Sequence, residues 1–198
     1  MFRIDHGILL VTTGLAGDGR ALAQAARMAC QRMRLSHGEI WSPTVSEIAQ
    51  EVASIQHELT RTPGARPLGV TATIVGCDRS PSQDAQKSPL QLFQSEPGGI
   101  LEQFNFCCAG KGKEKNIGSL VDLLPQKYGG NENNEKDASY IFSSIFKLLF
   151  DSENDIKNGF DLWTIIPSSN RRGGVRIRCA RNISNIKSAE EVKLHLLS

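Results

Sequence analysis

The sequence predicts a layered α+β fold in which helices come in sequential pairs and pack against antiparallel sheets. Two observations carry this. Short β-branched runs are joined by turn residues without crossover helices, which marks antiparallel pairing. Between these runs stand amphipathic segments in consecutive pairs, an order that gives strand, two helices, at least three strands, two helices, two strands and a final helix.

The first strand is Ile8 to Thr13, apolar and β-branched, with Gly14 and Gly17 marking its exit. A helix is expected from about Gly19 to Arg34, with Asp18 as its N-cap. Ala21, Leu22, Ala25, Ala26, Met28, Ala29 and Met33 give it a face of mostly small residues, which lets another helix approach closely. Arg27, Arg32 and Arg34 fall late, where cations suit the helix dipole. The next helix opens at Ser42-Pro43-Thr44. Thr44 and Glu47 have capping-box spacing, and Ser42 with Pro43 at the first helical position is an equally good start. Val45, Ile48, Ala49, Val52, Ile55 and Leu59 recur with helical spacing on one face, and Thr62-Pro63-Gly64 ends the helix.

Gly69 to Cys77 reads as a strand, residues 79–89 as a polar loop, and Leu90 to Ser95 as a second strand. Glu96-Pro97-Gly98-Gly99 is a tight turn in which Pro97 sets the first central φ and Gly98 supplies a positive φ at the next. Ile100 to Cys108 follows as a third strand, with Ile100, Glu102, Phe104 and Phe106 on one face, completing a meander. A helix carrying Ile117, Leu120, Val121 and Leu124 stops at Pro125, and residues 129–137 form a second polar loop. Ala138 to Leu149 marks another amphipathic helix. Phe160 to Ile166 and Val175 to Ala180 form a closing hairpin, and Ser188 with Glu191 caps a helix ending at Leu197.

Composition narrows the function classes. A chain of 198 residues with 39% hydrophobic content is expected to form one domain, with two as the alternative, and needs no disulfide or metal staple. Lys and Arg number 23 against 21 Asp and Glu, a net charge of +2, which argues against a dedicated nucleic-acid or polybasic membrane protein. Near the start the longest apolar run is Ile8 to Val11, far short of a signal core or membrane span. Five cysteines, with no CxxC and only Cys107-Cys108 adjacent, fit no zinc spacing and read as reduced cytosolic thiols.

No motif makes a convincing active site, metal site or cofactor site. Thr12 and Thr13 lie inside a strand, with no preceding Gly to release an N-terminal threonine nucleophile. Gly110-Lys111-Gly112-Lys113 lacks the phosphate-loop spacing. Asp151, Glu153 and Asp155 alternate like a calcium loop, but Ile156 and Leu162 stand where its Gly and final acid belong. Arg171, Arg172, Arg176, Arg178 and Arg181 lack interleaved aromatics and read as an edge guarded against strand pairing. Asn182-Ile183-Ser184 is a sequon without a secretory route, and His6, His37, His57 and His195 are scattered.

Four segments in order nevertheless resemble the α-type subunits of the proteasome. Gly14-Leu15-Ala16-Gly17-Asp18-Gly19-Arg20 is similar to the family's GLxADAR segment, and Arg66-Pro67-Leu68-Gly69-Val70 to its RPFGV motif. Glu96-Pro97-Gly98-Gly99 is similar to DPSG, and Cys108-Ala109-Gly110-Lys111-Gly112 to AIGxG. The resemblance is clear from about Ile4 to Tyr128 and faint beyond. Leu68 and Ala109-Gly110 resemble the alpha type-6 branch.

The resemblance implies an Ntn-hydrolase-like αββα sandwich and a non-catalytic, structural role in the outer ring of the 20S core, in support of ubiquitin-dependent degradation. Its implied partners are other α subunits, β subunits and regulatory particles, in cytoplasm and nucleus, with neither nucleic acid nor membrane. The helix after GLxADAR is implied to contribute to the contact between α and β rings. Asp18 and Arg20 would help set that helix's start, Gly14 and Leu15 would shape the turn, and Arg66, Pro67, Gly69, Pro97, Gly98, Gly99, Gly110 and Gly112 would be structural. Arg66 suits a bidentate carboxylate bond that would pin its loop, and Gly69 lets a backbone or bulky side chain come close.

The chain also departs from the family. It starts near the K-I-x-x-I-D-x-H-I region, at Arg3-Ile4-Asp5-His6, so roughly the first quarter of the family domain is expected to be missing, with its gate residues, its activator-binding lysine and its opening strands. The sandwich would then be incomplete, with exposed sheet edges. Either the gene is read without its 5′ portion, or the protein is a short form that cannot gate. Gly17 and Gly19 replace alanines and should loosen the helix start. A diverged threonine-type hydrolase of the same fold and an unassembled truncated fragment are the alternative readings.

Overall fold

The structure is a computed structural model that describes residues 1–38, 41–78, 90–111, 113–123, 160–168 and 174–183. Both polar loops (79–89 and 129–137), the helix expected from Ala138, the C-terminal helix, Gly112, the acidic alternation from Asp151, and Arg171 with Arg172 lie outside the described residues.

Strand β1 (Phe2–Asp5) turns through His6 and Gly7 into β2 (Ile8–Gly14). Helices α1 (Ala16–His37) and α2 (Val45–Arg61) follow, then β3 (Val70–Cys77), β4 (Leu90–Ser95) and β5 (Leu101–Gln103). The five strands form one antiparallel sheet in the order β1-β2-β3-β4-β5. The chain divides into two compact units, and this sheet with α1 and α2 lies wholly in the first. Helix α3 (Lys113–Leu123) belongs to the second. Strands β6 (Phe160–Ser168) and β7 (Gly174–Ile183) pair as a separate two-stranded sheet, as the expected closing hairpin requires. Arg176, Arg178 and Arg181 stand on β7. Among the described residues, no helix is long and apolar enough to cross a membrane.

The core of the first unit fills the space between the helices and one face of the sheet. Ile4, Ile8, Leu10, Val70, Ala72, Ile74 and Phe93 meet Leu22, Ala23, Ala26 and Cys30 of α1 and Val45, Ile48, Ala49 and Val52 of α2. Full burial of alanines in α1 is what lets it lie close to α2 and the sheet. The expected α1 face is corrected in detail: Ala23 and Cys30 are buried, whereas Ala21 and Met28 face solvent. Small and apolar residues stand on both sides of this helix, so their spacing alone could not pick the buried one.

Helix α2 follows its sequence closely. Thr44 and Glu47 form a reciprocal capping box, which selects Thr44 over the Ser42-Pro43 start. Asp78 adds a second cap from beyond β3, its Oδ1 accepting from Val45 N at 2.7 Å and its Oδ2 from Gln91 Nε2 at 2.9 Å. The buried stripe adds Ala53 and Gln56, while Ile55 and Leu59 are half-buried. Gln56 Nε2 donates to Val70 O at 2.8 Å and so ties α2 to β3.

Four further expectations change. Strand β1 is additional to the expected elements; it forms the sheet's first edge, and Arg27 Nε donates to its Arg3 carbonyl at 3.0 Å. In the tight turn the positive φ, 80°, falls on Gly99, the residue after the turn, and not on Gly98. Gly99 N donates to Glu96 O at 2.8 Å, so Pro97 and Gly98 form the turn centre and Gly99 makes the bulge that leads into β5. The third strand ends at Gln103; Leu101, not Ile100 and Glu102, packs on the core, and Ile100 is 62% exposed. On α3, Val121 is half exposed and not part of a buried face.

Candidate assembly interface

The end of β2, the start of α1 and the loop before β3 meet in one junction. Gly14 is registered opposite Val70, so the chain leaves β2 beside the point where β3 begins. Its φ of 131° and the Gly69 carbonyl, 2.2 Å from where a Cβ would stand, admit only glycine. Leu15 N donates to Gly69 O at 3.0 Å. A Cβ on Gly69 would come within 2.9 Å of Leu15 Cδ1, so Gly69 accommodates a bulky neighbour as expected.

Asp18 closes the junction, though not as the helix N-cap. The cap position belongs to Leu15, in extended conformation and without a side-chain bond, and Asp18 stands in the first turn. Its carboxylate turns away from the helix end because Arg66 offers a stronger, charged pair of donors. Arg66 Nη1 donates to Oδ2 and Nη2 to Oδ1, both at 2.7 Å, and Gly69 N donates to Oδ2 at 2.9 Å. Arg66 thus makes the bidentate bond its guanidinium suits, and Nη1 also reaches Pro67 O at 3.0 Å. These bonds, Arg66's first and Gly69's next, hold the Asp18 carboxyl down to about 2, and Asp18 in turn raises the Arg66 guanidinium. The pair has no proton to exchange near neutral pH, so its role is to fasten a loop, not to move protons.

The remaining family-motif residues lie apart from this junction. Arg20 is exposed on α1 and outside it. Pro97, Gly98 and Gly99 form the β4–β5 tip, which abuts α2: His57 Nδ1 lies 3.2 Å from Gly98 O. Gly110 has a φ of 107° and sits beside Thr13. Thr12 and Thr13 pair with Ala72 and Thr71 inside the sheet. Among the described residues, no three His, Cys, Asp or Glu side chains gather to hold a metal ion.

The outer face of α1 completes the surface. Gly17, Ala21, Gln24, Met28, Gln31 and Leu35 follow one another at steps of 4, 3, 4, 3 and 4 residues, and all are exposed. That spacing lines one strip of a helix, here opposite the buried face. The strip carries no charge. Met28 is 59% and Leu35 87% exposed.

A family model for proteasome subunits matches residues 1–165. The chain belongs to the proteasome subunit family. Among its relatives are proteasome subunit alpha of Methanococcus maripaludis, 32% identical over 131 residues, 66% of this chain and 45% of that one. Proteasome subunit alpha of Archaeoglobus fulgidus is 31% identical over 128 residues, 65% of this chain and 46% of that one. Proteasome subunit alpha type-7 of Dictyostelium discoideum is 31% identical over 120 residues, 61% and 44% of the two chains. The match therefore spans less than half the length of these relatives. They bear out the α-type resemblance and do not show the narrower alpha type-6 likeness. The proteasome-like segments Gly14–Arg20 and Arg66–Val70, separate in sequence, are the two sides of one junction.

Proposed function

We propose that this chain is a non-catalytic, structural α-type subunit of a 20S proteasome core, acting only through assembly with other α subunits, with β subunits and with regulatory particles. The observation that carries the reading is the uncharged outer strip of α1. A solvated helix face is ordinarily charged, whereas an uncharged strip with exposed Met28 and Leu35 suits burial against another subunit. The Asp18–Arg66 junction holds the start of this helix at a fixed angle to the sheet, as a docking element requires. The names of the relatives support the same reading. It includes an Ntn-hydrolase-like sandwich with the five-stranded sheet as one of its two. Burial of Leu9, on the sheet face opposite α1 and α2, agrees with that. It also includes a place in cytoplasm and nucleus and a part in ubiquitin-dependent degradation.

Peptide mass spectrometry of core particles purified from the native cells tests it. Peptides from this chain are expected at the abundance of the other α subunits; their absence would overturn the reading.

A further inference from the structure

The strip on α1 is flanked unequally. On one side Arg32 is already paired with Glu51 of α2 at 2.8 Å. On the other side Arg20, Arg27 and Arg34 stand seven residues apart, a column running beside the strip. Arg34 turns inward, where both carboxylate oxygens of the buried Asp5 accept from its Nη2. Arg20 is exposed, and Arg27, half-buried, gives its Nε to a backbone carbonyl and not to a carboxylate. Among the described residues no carboxylate lies within ion-pairing distance of either, nor of Arg3, whose carbonyl holds Arg27 Nε beside them. Apart from Asp18, held by Arg66, α1 contains no acidic residue.

An uncharged seam with steps of 4 and 3, edged by charges seven apart, is the pattern by which two packed helices choose each other: the seam gives adhesion and the flanking charges give partner choice. We infer that Arg20 and Arg27 select the partner of α1, and that the partner is a helix of a different chain carrying carboxylates at seven-residue spacing along its own seam. This rests on the ring-subunit reading and adds to it the chemistry of the neighbour. A second copy of this chain is disfavoured, because its α1 would bring the same cationic column and nothing acidic to answer it.

The test uses the full chain, tagged and expressed in its native cells, with incorporation into the purified core as the readout. Arg20→Glu with Arg27→Glu is expected to lower incorporation at least tenfold. Arg20→Glu alone, which leaves the Arg27–Arg3 bond intact, is expected to lower it severalfold, and Arg61→Glu on α2 is expected to change nothing. Thermal melts establish that each variant is folded. In Arg20→Lys and Arg27→Lys chains, which keep the charge and gain an amine, a zero-length carbodiimide is expected to couple position 20 or 27 to an Asp or Glu of another subunit. Normal incorporation of the folded Arg20→Glu, Arg27→Glu chain would overturn the inference. If Met28→Asp with Leu35→Asp still blocked incorporation, seam docking would stand without charge selection. A coupling to a second copy of this chain would overturn the choice of partner. Absence of the unaltered chain from the core would overturn both readings.

Discussion

Thr12 and Gly19 are fitted to each other: the Thr12 hydroxyl oxygen lies 2.4 Å from the point where a Cβ on residue 19 would stand. Gly19 is thus the place where α1 comes down on β2. Gly17, two residues earlier, has nothing within 4 Å of its own Cβ position. The two glycines, alike in sequence, should respond oppositely to alanine. Gly17→Ala should stabilise by about 0.5–1 kcal/mol through helix propensity. Gly19→Ala should lose that gain to the clash, and Thr12→Ala in the same chain should restore it. Denaturant unfolding of the three variants and the double variant reads the coupling directly.

The Asp18–Arg66 bond sets a pH dependence of stability. The Asp18 carboxyl is held at about 2 in the folded chain, below its ordinary 3.8. The folded state then binds fewer protons than the unfolded one in this window, so the contribution is complete above about pH 5 and disappears as pH falls through 4 toward 2. Asp18→Asn should lower the unfolding midpoint at pH 7, and the gap from the unaltered chain should close by pH 2. A gap that stayed constant over this range would show that the carboxylate's charge does not matter.

The β4–β5 tip discriminates between its own two glycines. A Cβ on Gly99 would meet Ala53 O and His57 Cβ, each at 2.6 Å, in a backbone with φ of 80°. Gly98 has open space. Gly99→Ala should cost more than the roughly 1–2 kcal/mol of the left-handed conformation alone, because α2 must also give way. Gly98→Ala should change stability by less than about 0.5 kcal/mol. Thermal melts of the two variants compare them.

The cysteines should separate by reactivity. Burial pushes the Cys30 thiol up to about 12, with Asp5 adding to the effect; Cys107 and Cys108 are only half-buried, although burial raises the Cys108 thiol as well. In the native chain iodoacetamide at pH 8 should label Cys107 or Cys108 well before Cys30. Folding here favours the protonated thiol, so the Cys30 contribution is full below pH 9 and falls as pH rises and the unfolded thiol ionises. Peptide mapping after timed alkylation gives the order.

At the α2 start, Thr44→Ala should cost about 0.5–2 kcal/mol by opening the capping box. Because Asp78 still accepts from Val45 N, the helix should keep its first turn, and combining the change with Asp78→Asn should be worse than either alone.

Where the signal was local, the chain was readable. The α2 stripe repeats within its own 17 residues and is legible directly, and the Thr44–Glu47 spacing offers one of two equal starts, between which the structure chooses. The β-branched run of β3 is equally local. Where two signals compete, local sequence points to the wrong one. Asp18 has the chemistry of an N-cap, and only the return of Arg66 after 48 residues explains why it does not cap. Strand β1 is four residues long with a charged one among them, too short to stand out before it is paired. Met28 and Ala21 belong to a helix apolar on two sides, and the side that faces the core is chosen by β2 and α2, not by α1.

The sequence alone determined the order of the elements from β2 to α3, the α2 buried stripe, the need for glycine in its turns, and the family likeness of four short segments, since each is written within a few neighbouring residues. The tertiary structure decided which donor takes the Asp18 carboxylate, which glycine of a pair is indispensable, and which side of α1 is left exposed. Those outcomes depend on residues tens of positions apart reaching the same few ångströms, where sterics and charge choose among options that local sequence leaves equal.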